Sequence, residues 1–185
     1  MTARLLDLAE IEADVWKRLA AAVTDRAHPW RTPVLATVDG DAADARIVVL
    51  REVDVRGKEL LFYTDERAGK VAQLLNRPRG TVLMWSRELG WQLRCRVRLT
   101  LEMSGLSATS RWARVKLSPN ANEYLSAMPP GTPLADLPHP GSGAVARDYF
   151  AVVSAEVQAL DWLELHRDGN RRAIFDAAGA RWIQP

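Results

Sequence analysis

Residues 34–64, VLATVDGDAADARIVVLREVDVRGKELLFYT, carry the pattern that decides the fold. Short runs rich in apolar and β-branched residues alternate here with turn signals. The runs are 34–38, 46–53 and 59–64, and the turn signals are Asp39-Gly40 and Arg56-Gly57-Lys58. Asp-Gly and other glycine-containing turns between such runs are typical of tight β-hairpins. The stretch therefore predicts three consecutive antiparallel strands.

The pattern continues downstream as a mostly β protein with flanking helices. From Trp91 to Leu99, apolar residues alternate with glutamine and arginine, which predicts a long strand over 91–102. Further strands are predicted at 81–85, 149–165, 171–175 and 181–183. Helices are predicted at 8–23, 66–75, 106–117 and 120–128, the second with Thr64 or Asp65 as its N-cap. Six to eight antiparallel strands with few helices favour a closed or nearly closed barrel.

Length and composition indicate one globular domain over residues 1–185. Of the 185 residues, 48% are hydrophobic and 26% are charged, and both fractions are ordinary for such a domain. Residues 1–28 form a helical N-terminal segment in this interpretation. Residues 129–147 form a loop rich in proline and glycine rather than a linker between domains.

Charge and cysteine content exclude several classes of protein. A net charge of +2 argues against a dedicated nucleic-acid coat protein. The single cysteine, Cys95, excludes an intrachain disulfide. Charged residues interrupt the first twenty positions, and no apolar run approaches the roughly 20 residues that span a bilayer. We therefore expect a cytoplasmic protein without a membrane or nucleic-acid partner.

Common catalytic motifs are absent from the sequence. It contains no G-x-S-x-G nucleophile elbow, no Walker A motif and no G-x-G-x-x-G motif. The three histidines have no metal-ligand spacing, and one cysteine cannot make a zinc site. The chain therefore either binds a ligand passively or takes its chemistry from a cofactor.

A group of polar residues could bind a phosphate. Arg46 and Arg51 lie at the ends of one apolar run, Thr64 ends the next, and Lys70 lies on the helix predicted after it. A hydroxyl, a helix N-terminus and two or three cations on neighbouring elements suit a phosphate. The alternative is that these cations are ordinary solvated charges, and composition alone favours it.

These residues also carry a resemblance to a known family. The stretches 33–40, 46–51 and 61–64 are similar to the pyridoxamine 5′-phosphate oxidase family, as are Lys70, Asn76-Arg77-Pro78, Trp85 and Gln92-Leu93-Arg94. Order and spacing match the family over roughly residues 30 to 100. A weaker match resumes at residue 163 and runs to the last four residues, Trp182-Ile183-Gln184-Pro185.

The resemblance implies an antiparallel split β-barrel of the FMN-binding type, assembled as a homodimer with FMN at the subunit interface. Arg46 and Lys70 would hold the FMN phosphate, and Thr64 would donate its hydroxyl. Gln92 would hydrogen-bond the edge of the flavin ring, Arg172 would match a C-terminal arginine that contacts the flavin, and His166 would stand where the family usually has a tryptophan. Residues lining the cofactor would be Ile47, Val48, Val49, Leu50, Arg51 and Tyr63. A small-molecule substrate would lie near Trp112 and Lys116.

Departures from the family pattern separate this chain from the vitamin B6 enzyme. Gly69 stands where the full oxidases have an arginine, and the turn over 167–172 is too short for their Arg-x-His motif. The chain therefore most resembles the oxidase-related FMN-binding proteins, with oxidoreductase activity on an unknown small substrate. The alternatives are a true pyridoxamine or pyridoxine 5′-phosphate oxidase, a flavin-binding module without catalysis, and a heme-binding barrel, against which the few histidines argue.

Overall fold

The computed structural model describes residues 4, 7–118, 121, 124–126, 128–136 and 149–185. The predicted helix at 120–128 and the predicted loop at 129–147 lie partly outside these residues. Within the described part of the loop, a short 3-10 helix covers Leu134–Asp136.

The first helix, α1, spans Leu8–Thr24 and confirms the prediction from the apolar periodicity. Asp7 caps its N-terminus, because its side chain accepts hydrogen bonds from the amides of Ala9 and Glu10. The buried face of α1 packs over the barrel with Ile11, Val15 and Leu19 fully inaccessible to solvent. α1 therefore closes one side of the main core.

Nine strands and two further helices complete the described fold. The strands are β1 (Val34–Asp39), β2 (Ala42–Ile47), β3 (Leu50–Asp54), β4 (Glu59–Asp65), β5 (Arg79–Ser86), β6 (Trp91–Glu102), β7 (Phe150–Glu164), β8 (Arg171–Asp176) and β9 (Gly179–Ile183). The helices are α2 (Gly69–Asn76) and α3 (Gly105–Val115). All strand pairs are antiparallel, in the order β2-β1-β5-β6-β7-β4-β3, with β8 and β9 attached beside β7.

The sheet is split along the long strand β7. One edge of β7 pairs with β6 along nearly its whole length. The other edge pairs first with β4, up to Glu156, and then with β8, from Ala159 onward. The sheet does not close, since β2 and β3 remain at its two ends. This arrangement confirms the predicted α+β fold with an antiparallel split barrel, with nine strands in the described residues instead of six to eight.

The single strand predicted over 46–53 is wrong, because the chain changes partners at Val48-Val49. Before this point β2 pairs with β1, and after it β3 pairs with β4. At the break, Val48 donates its amide hydrogen to the carbonyl of Pro33, and Leu50 donates to the carbonyl of Arg31. The loop that precedes β1 therefore takes the hydrogen bonds that a continuous strand would have given to a neighbour.

The start of the second helix also differs from the prediction. α2 begins at Gly69, and its N-cap is Ala68 rather than Thr64 or Asp65. Thr64 still belongs to β4, where it pairs with Ala151. The carboxylate of Asp65 binds Arg67 through the backbone amide at 2.8 Å and through the guanidinium. Because of this local turn, the helix begins at residue 69 instead of the predicted residue 66.

Two apolar clusters stabilise the fold. The larger lies inside the barrel beneath α1 and includes Leu35, Leu50, Leu93 and Trp162, all fully buried. The smaller lies between α3 and the outer side of β4 and β7, where Phe150 and Trp112 pack together. None of the helices in the described residues combines the length and apolar composition needed to cross a lipid bilayer.

Candidate functional site

Three of the predicted phosphate ligands converge where β2, β4 and α2 meet. The Nζ of Lys70, in the first turn of α2, lies 3.0 Å from the hydroxyl oxygen of Thr64 at the end of β4. Burial lowers the pKa of Lys70 most strongly, and the nearby charge of Arg46 lowers it further. No carboxylate of the described residues forms an ion pair with Lys70 within 4 Å. The charges of Asp65 and Asp44 partly offset this lowering of the pKa of Lys70. The structure thus brings Arg46, Lys70 and Thr64 together, with Lys70 in no direct ion pair among the described residues.

The guanidinium of Arg46 is held by hydrogen bonds to residues on β1, β2 and α2. Its Nη1 donates to the carbonyl of Leu35 at 3.2 Å and to the hydroxyl of Thr37 at 2.5 Å. Its Nη2 donates to the amide oxygen of Gln73 at 2.9 Å and to the carboxylate of Asp44. Thr37 and Gln73 are both buried. They fix the direction in which Arg46 points.

Sequence reasoning missed Thr37, Asp44 and Gln73. Signals for all three were available: Gln73 lies three residues after Lys70 and therefore on the same side of α2. Asp44 lies two residues before Arg46 on the same face of β2, and Thr37 is its direct partner on β1. The amide of Gln73 donates to Asp44 at 2.8 Å, and this hydrogen bond is the largest cause that lowers the pKa of Asp44.

The N-terminus of α2 adds partial positive charge to this cluster. Its N-cap, Ala68, has no side chain that could accept a hydrogen bond from the first amides of the helix. Free amide hydrogens at a helix N-terminus, together with the helix dipole, favour an anion there. The cluster therefore combines two cations, a hydroxyl and an uncapped helix end, and this set of donors fits a phosphate group.

The side chains predicted to line a cofactor differ in how far they are exposed to solvent. Ile47 is 69% exposed, and Val48 and Val49 are half-buried at the strand break. The side chain of Leu50 is fully buried in the core, so Leu50 can offer only its backbone to a ligand. This orientation follows from the register of β3, in which Leu50 pairs with Phe62 inside the barrel.

Arg51 and Tyr63 form a second polar group on the α3 side of the sheet. The guanidinium of Arg51 lies 5.7 Å from the centre of the Tyr63 ring. The Tyr63 hydroxyl donates to Glu52 at 2.6 Å, and Arg111 of α3 binds the same carboxylate through two nitrogens at 3.0 and 3.1 Å. Burial and the hydrogen bond to Glu52 raise the pKa of Tyr63, so its hydroxyl stays protonated at neutral pH.

Gln92 and Arg172 lie in one row on the outer face of the sheet. Gln92 pairs with Trp85 on one side and with Leu163 on the other, and Leu163 pairs with Arg172. Directly paired residues point to the same face. His166 lies in the turn after β7, where its Nδ1 accepts a hydrogen bond from the amide of Asp168 at 3.1 Å.

The phosphate cluster and this row lie on opposite faces of the sheet. Arg46 pairs with Leu35, which pairs with Val82, and Val82 pairs with Cys95, so Arg46 belongs to the row that faces the core. Gln92 is three residues from Cys95 and points the other way. One copy of the chain therefore does not bring Arg46 and Lys70 together with Gln92 and Arg172.

Of the two predicted substrate residues, Trp112 lines a cavity in the described part of the chain. This cavity of about 310 Å³ lies between α3 and the start of β7, with Trp112, Phe150, Ala108 and Glu66 in its wall. Lys116 is exposed at the C-terminal end of α3 and does not line the cavity.

Two further features of the described residues lie apart from the candidate residues. A second cavity of about 340 Å³ between α1 and the β8–β9 hairpin is lined by none of the predicted site residues. No cluster of three or more histidine, cysteine, aspartate or glutamate side chains in the described ranges is arranged to hold a metal ion.

Comparisons with known proteins identify a matching domain model and similar folds. Residues 13–102 match the model of the pyridoxamine 5′-phosphate oxidase FMN-binding domain. No curated protein sequence matches the chain. Among solved structures, an oxidase-related FMN-binding protein from Nostoc punctiforme is similar with a TM-score of 0.69 and 21% identity, over 99% of this chain and 100% of the other.

Two other structures share the fold. PhzG from Burkholderia lata, in complex with tetrahydrophenazine-1-carboxylic acid, has a TM-score of 0.75 and 16% identity, over 100% of this chain and 99% of the other. A heme-binding protein from Mycobacterium smegmatis has a TM-score of 0.52 and 17% identity, over 92% of this chain and 59% of the other. The match to the FMN-binding domain model ends at residue 102 and therefore includes Arg46, Thr64, Lys70 and Gln92. Residues 13–102 thus match an FMN-binding domain of the pyridoxamine 5′-phosphate oxidase type, and the whole chain shares the fold of these solved structures.

Proposed function

We propose that this protein is an FMN-dependent oxidoreductase that acts on a small molecule, with the FMN phosphate held by Arg46, Lys70 and Thr64. The observation that carries the proposal is the environment of Lys70. Its ammonium group is half-buried beside a second cation, and no carboxylate within the described residues pairs with it. Burial of an unpaired charge is costly, so this site favours an anionic ligand.

A phosphate monoester is the anion that fits these donors best. It carries close to two negative charges at neutral pH and presents three acceptor oxygens. Lys70, Arg46 and the amides at the start of α2 can donate to different oxygens. The Thr64 hydroxyl oxygen accepts a hydrogen bond from Lys70, and its hydrogen makes a weak 3.3 Å contact with the Asp65 carbonyl. This hydrogen can instead be donated to a phosphate oxygen.

The protein's part in the reaction is to hold and orient the cofactor. When bound, FMN supplies hydride or electron transfer. Arg46 and Lys70 would hold the phosphate end, and the amide of Gln92 would hydrogen-bond the ring edge. No acid or base from the protein is required. The cavity beside Trp112 and Phe150 would hold the substrate.

The proposal includes a homodimer, because the two halves of the FMN site belong to opposite faces of the sheet. A flavin anchored at Arg46 and Lys70 of one copy reaches Gln92 and Arg172 only if these come from a second copy. Ile47 and Trp85, which are 69% and 43% exposed, share the outer face with Gln92. Contact between two copies removes these apolar side chains from water.

Structural relatives support the choice of a small aromatic substrate. The Nostoc protein is described as FMN-binding, and PhzG is described in complex with a phenazine carboxylic acid. The cavity lined by Trp112 and Phe150 offers aromatic surfaces to a molecule of that class.

Mixing two variants tests the shared site directly. Lys70→Ala and Arg172→Ala should each bind FMN poorly when they form homodimers. After unfolding and refolding as an equimolar mixture, half of the dimers are mixed, and each mixed dimer contains one site with both residues intact. About a quarter of all sites should then regain FMN binding. A mixture that binds no more FMN than the separate variants would contradict the shared site.

Turnover distinguishes an enzyme from a passive flavin-binding module. FMN-loaded protein is mixed with a nicotinamide donor under anaerobic conditions, and the flavin absorbance is followed. Bleaching, followed by reoxidation when an acceptor is added, supports the oxidoreductase. A stable flavin spectrum with every donor and acceptor tested would favour the passive module instead.

A further inference from the structure

Asp44 occupies donors that the flavin phosphate would need. Its carboxylate accepts hydrogen bonds from Nη2 of Arg46 and from the side-chain amide of Gln73, the latter at 2.8 Å. Asp44 lies on β2, two residues before Arg46 and directly opposite Thr37. Its spacing from Arg46 places Asp44 on the same face of β2, but the sequence does not distinguish it from the other acidic residues of this hairpin.

The hydrogen bonds of Arg46 leave little free for a ligand. Its four Nη hydrogens meet the Leu35 carbonyl, the Thr37 hydroxyl, the Gln73 amide oxygen and the Asp44 carboxylate. Among the described contacts, only the Nε hydrogen is unused. A guanidinium that binds phosphate with two parallel hydrogen bonds must release one of these four partners.

Asp44 is the partner that can leave at the lowest cost. Thr37 and Gln73 are 3% and 7% exposed, and the Leu35 carbonyl belongs to the sheet. The side chain of Asp44 is 45% exposed, so water can solvate its carboxylate when it turns away. Its departure also frees the Gln73 amide hydrogens for a phosphate oxygen.

We propose that Asp44 is an internal competitor for the flavin phosphate: its carboxylate takes the same Arg46 and Gln73 donors, lowers the affinity for FMN and makes the flavin exchangeable. This inference rests on the proposed function. Repulsion acts in the same direction, because the carboxylate and the phosphate are both negative and lie near the same two cations. The competitor acts on ligands with a phosphate and not on the flavin ring.

The opposite role would be a positioning one, in which Asp44 helps to hold Arg46 in its binding direction. The two roles predict opposite signs. Removal of a competitor tightens FMN binding, whereas removal of a positioning residue weakens it. Thr37, Gln73 and the Leu35 carbonyl hold Arg46 without Asp44, which is why we infer competition.

The test compares Asp44→Asn with Asp41→Asn, a control in the same hairpin whose side chain is fully exposed. Dissociation constants for FMN and riboflavin are measured by quenching of flavin fluorescence, and FMN release is followed by stopped flow. Asp44→Asn should bind FMN about five- to tenfold more tightly and release it more slowly, with riboflavin affinity unchanged. Asp41→Asn should behave like the wild type in both assays.

Several outcomes would overturn the inference. Unchanged or weaker FMN binding by Asp44→Asn would do so while leaving the proposed function intact, and so would an equal gain for riboflavin. Asp44→Ala provides a second variant, which removes the carboxylate without an amide that could hydrogen-bond Arg46, and it should also tighten FMN binding. Failure of the wild type and of all variants to bind FMN would overturn the proposed function, and this inference with it.

Discussion

Arg172 on β8 donates two parallel hydrogen bonds to the carboxylate of Asp161 on β7. Nε lies 2.9 Å from Oδ1, and Nη2 lies 2.8 Å from Oδ2. Arg94, which pairs directly with Asp161 across β6 and β7, binds the same carboxylate. Burial alone would raise the pKa of Asp161, but the hydrogen bonds from Arg172 and Arg94 outweigh it and hold the pKa below its usual value. Arg172 is thus fixed in place in the row that also contains Gln92.

Asp161→Asn should destabilise the protein in a way that depends on pH. Removing one partner of a fully buried ion pair costs roughly 3–5 kcal/mol. Here the side chains of Arg94 and Arg172 are 40% and 27% exposed, so we expect a loss of about 1–2 kcal/mol in the free energy of unfolding at pH 7. Urea denaturation measures this loss.

The pH dependence follows from the lowered pKa of Asp161. Since the carboxylate is more acidic in the folded protein than in the unfolded chain, where its pKa is about 3.9, its contribution is complete above that pH and is lost as pH falls through the folded pKa. The difference between wild type and Asp161→Asn should therefore shrink below about pH 4. Asp39→Asn, at the exposed end of β1, is the control and should lose little stability at any pH. A difference in the free energy of unfolding between wild type and Asp161→Asn that stays constant down to pH 2.5 would contradict a lowered pKa of Asp161.

Gly69→Arg should strengthen FMN binding. Gly69 is the first residue of α2, is exposed and has no atoms within 4 Å of the position a Cβ would take. An arginine there adds a third cation beside Lys70 without a clash, and we expect FMN to bind roughly three- to tenfold more tightly. Gly69→Gln separates the effect of charge from that of replacing glycine in a helix. Isothermal titration with FMN provides the comparison, and equal affinities of the two variants would show that the added charge does not reach the phosphate.

Pyridoxine 5′-phosphate should be a poor substrate. Its own phosphate needs cations beside the flavin, but Lys116 is exposed at the end of α3 and Arg111 is bound to Glu52. Compared with an oxidase that binds the substrate phosphate, we expect two fewer charge-assisted contacts to that phosphate, each contributing about 1.5–3 kcal/mol. Their loss should lower turnover efficiency by at least about a hundredfold. Formation of pyridoxal 5′-phosphate by FMN-loaded protein under oxygen can be followed by chromatography. A rate comparable to that of a vitamin B6 oxidase would identify the protein as such an oxidase.

The parts of the fold that depend on local pattern could be predicted from the sequence. The alternation from Trp91 to Leu99 and the turn at Asp39-Gly40 report strands and hairpins directly. The break at Val48-Val49 could not be predicted in this way, because it depends on backbone hydrogen bonds to a distant loop at Arg31 and Pro33. Apolar composition continues through the break, and only the partners change.

The site was predictable to a similar extent. Arg46, Thr64 and Lys70 could be selected because cations and a hydroxyl at element ends suit a phosphate. Gln73 and Asp44 were missed because each is unremarkable alone, and their role arises from the register of β1 with β2 and the packing of α2 against β1. Their spacing from Arg46 and Lys70 indicates a shared strand face or helix side, but it does not indicate which hydrogen bonds they form.

Comparison of FMN with riboflavin tests whether the phosphate is bound by this cluster of residues. The two ligands differ only in the phosphate, so the ratio of their dissociation constants isolates Arg46, Thr64 and Lys70. We predict that the wild type binds FMN at least about a hundredfold more tightly than riboflavin. Lys70→Ala should weaken FMN binding by about 1.5–3 kcal/mol, the range of a charge-assisted hydrogen bond, and leave riboflavin unaffected. Lys17→Ala, on the exposed face of α1, should change neither. Equal affinity of the wild type for FMN and riboflavin would contradict the account.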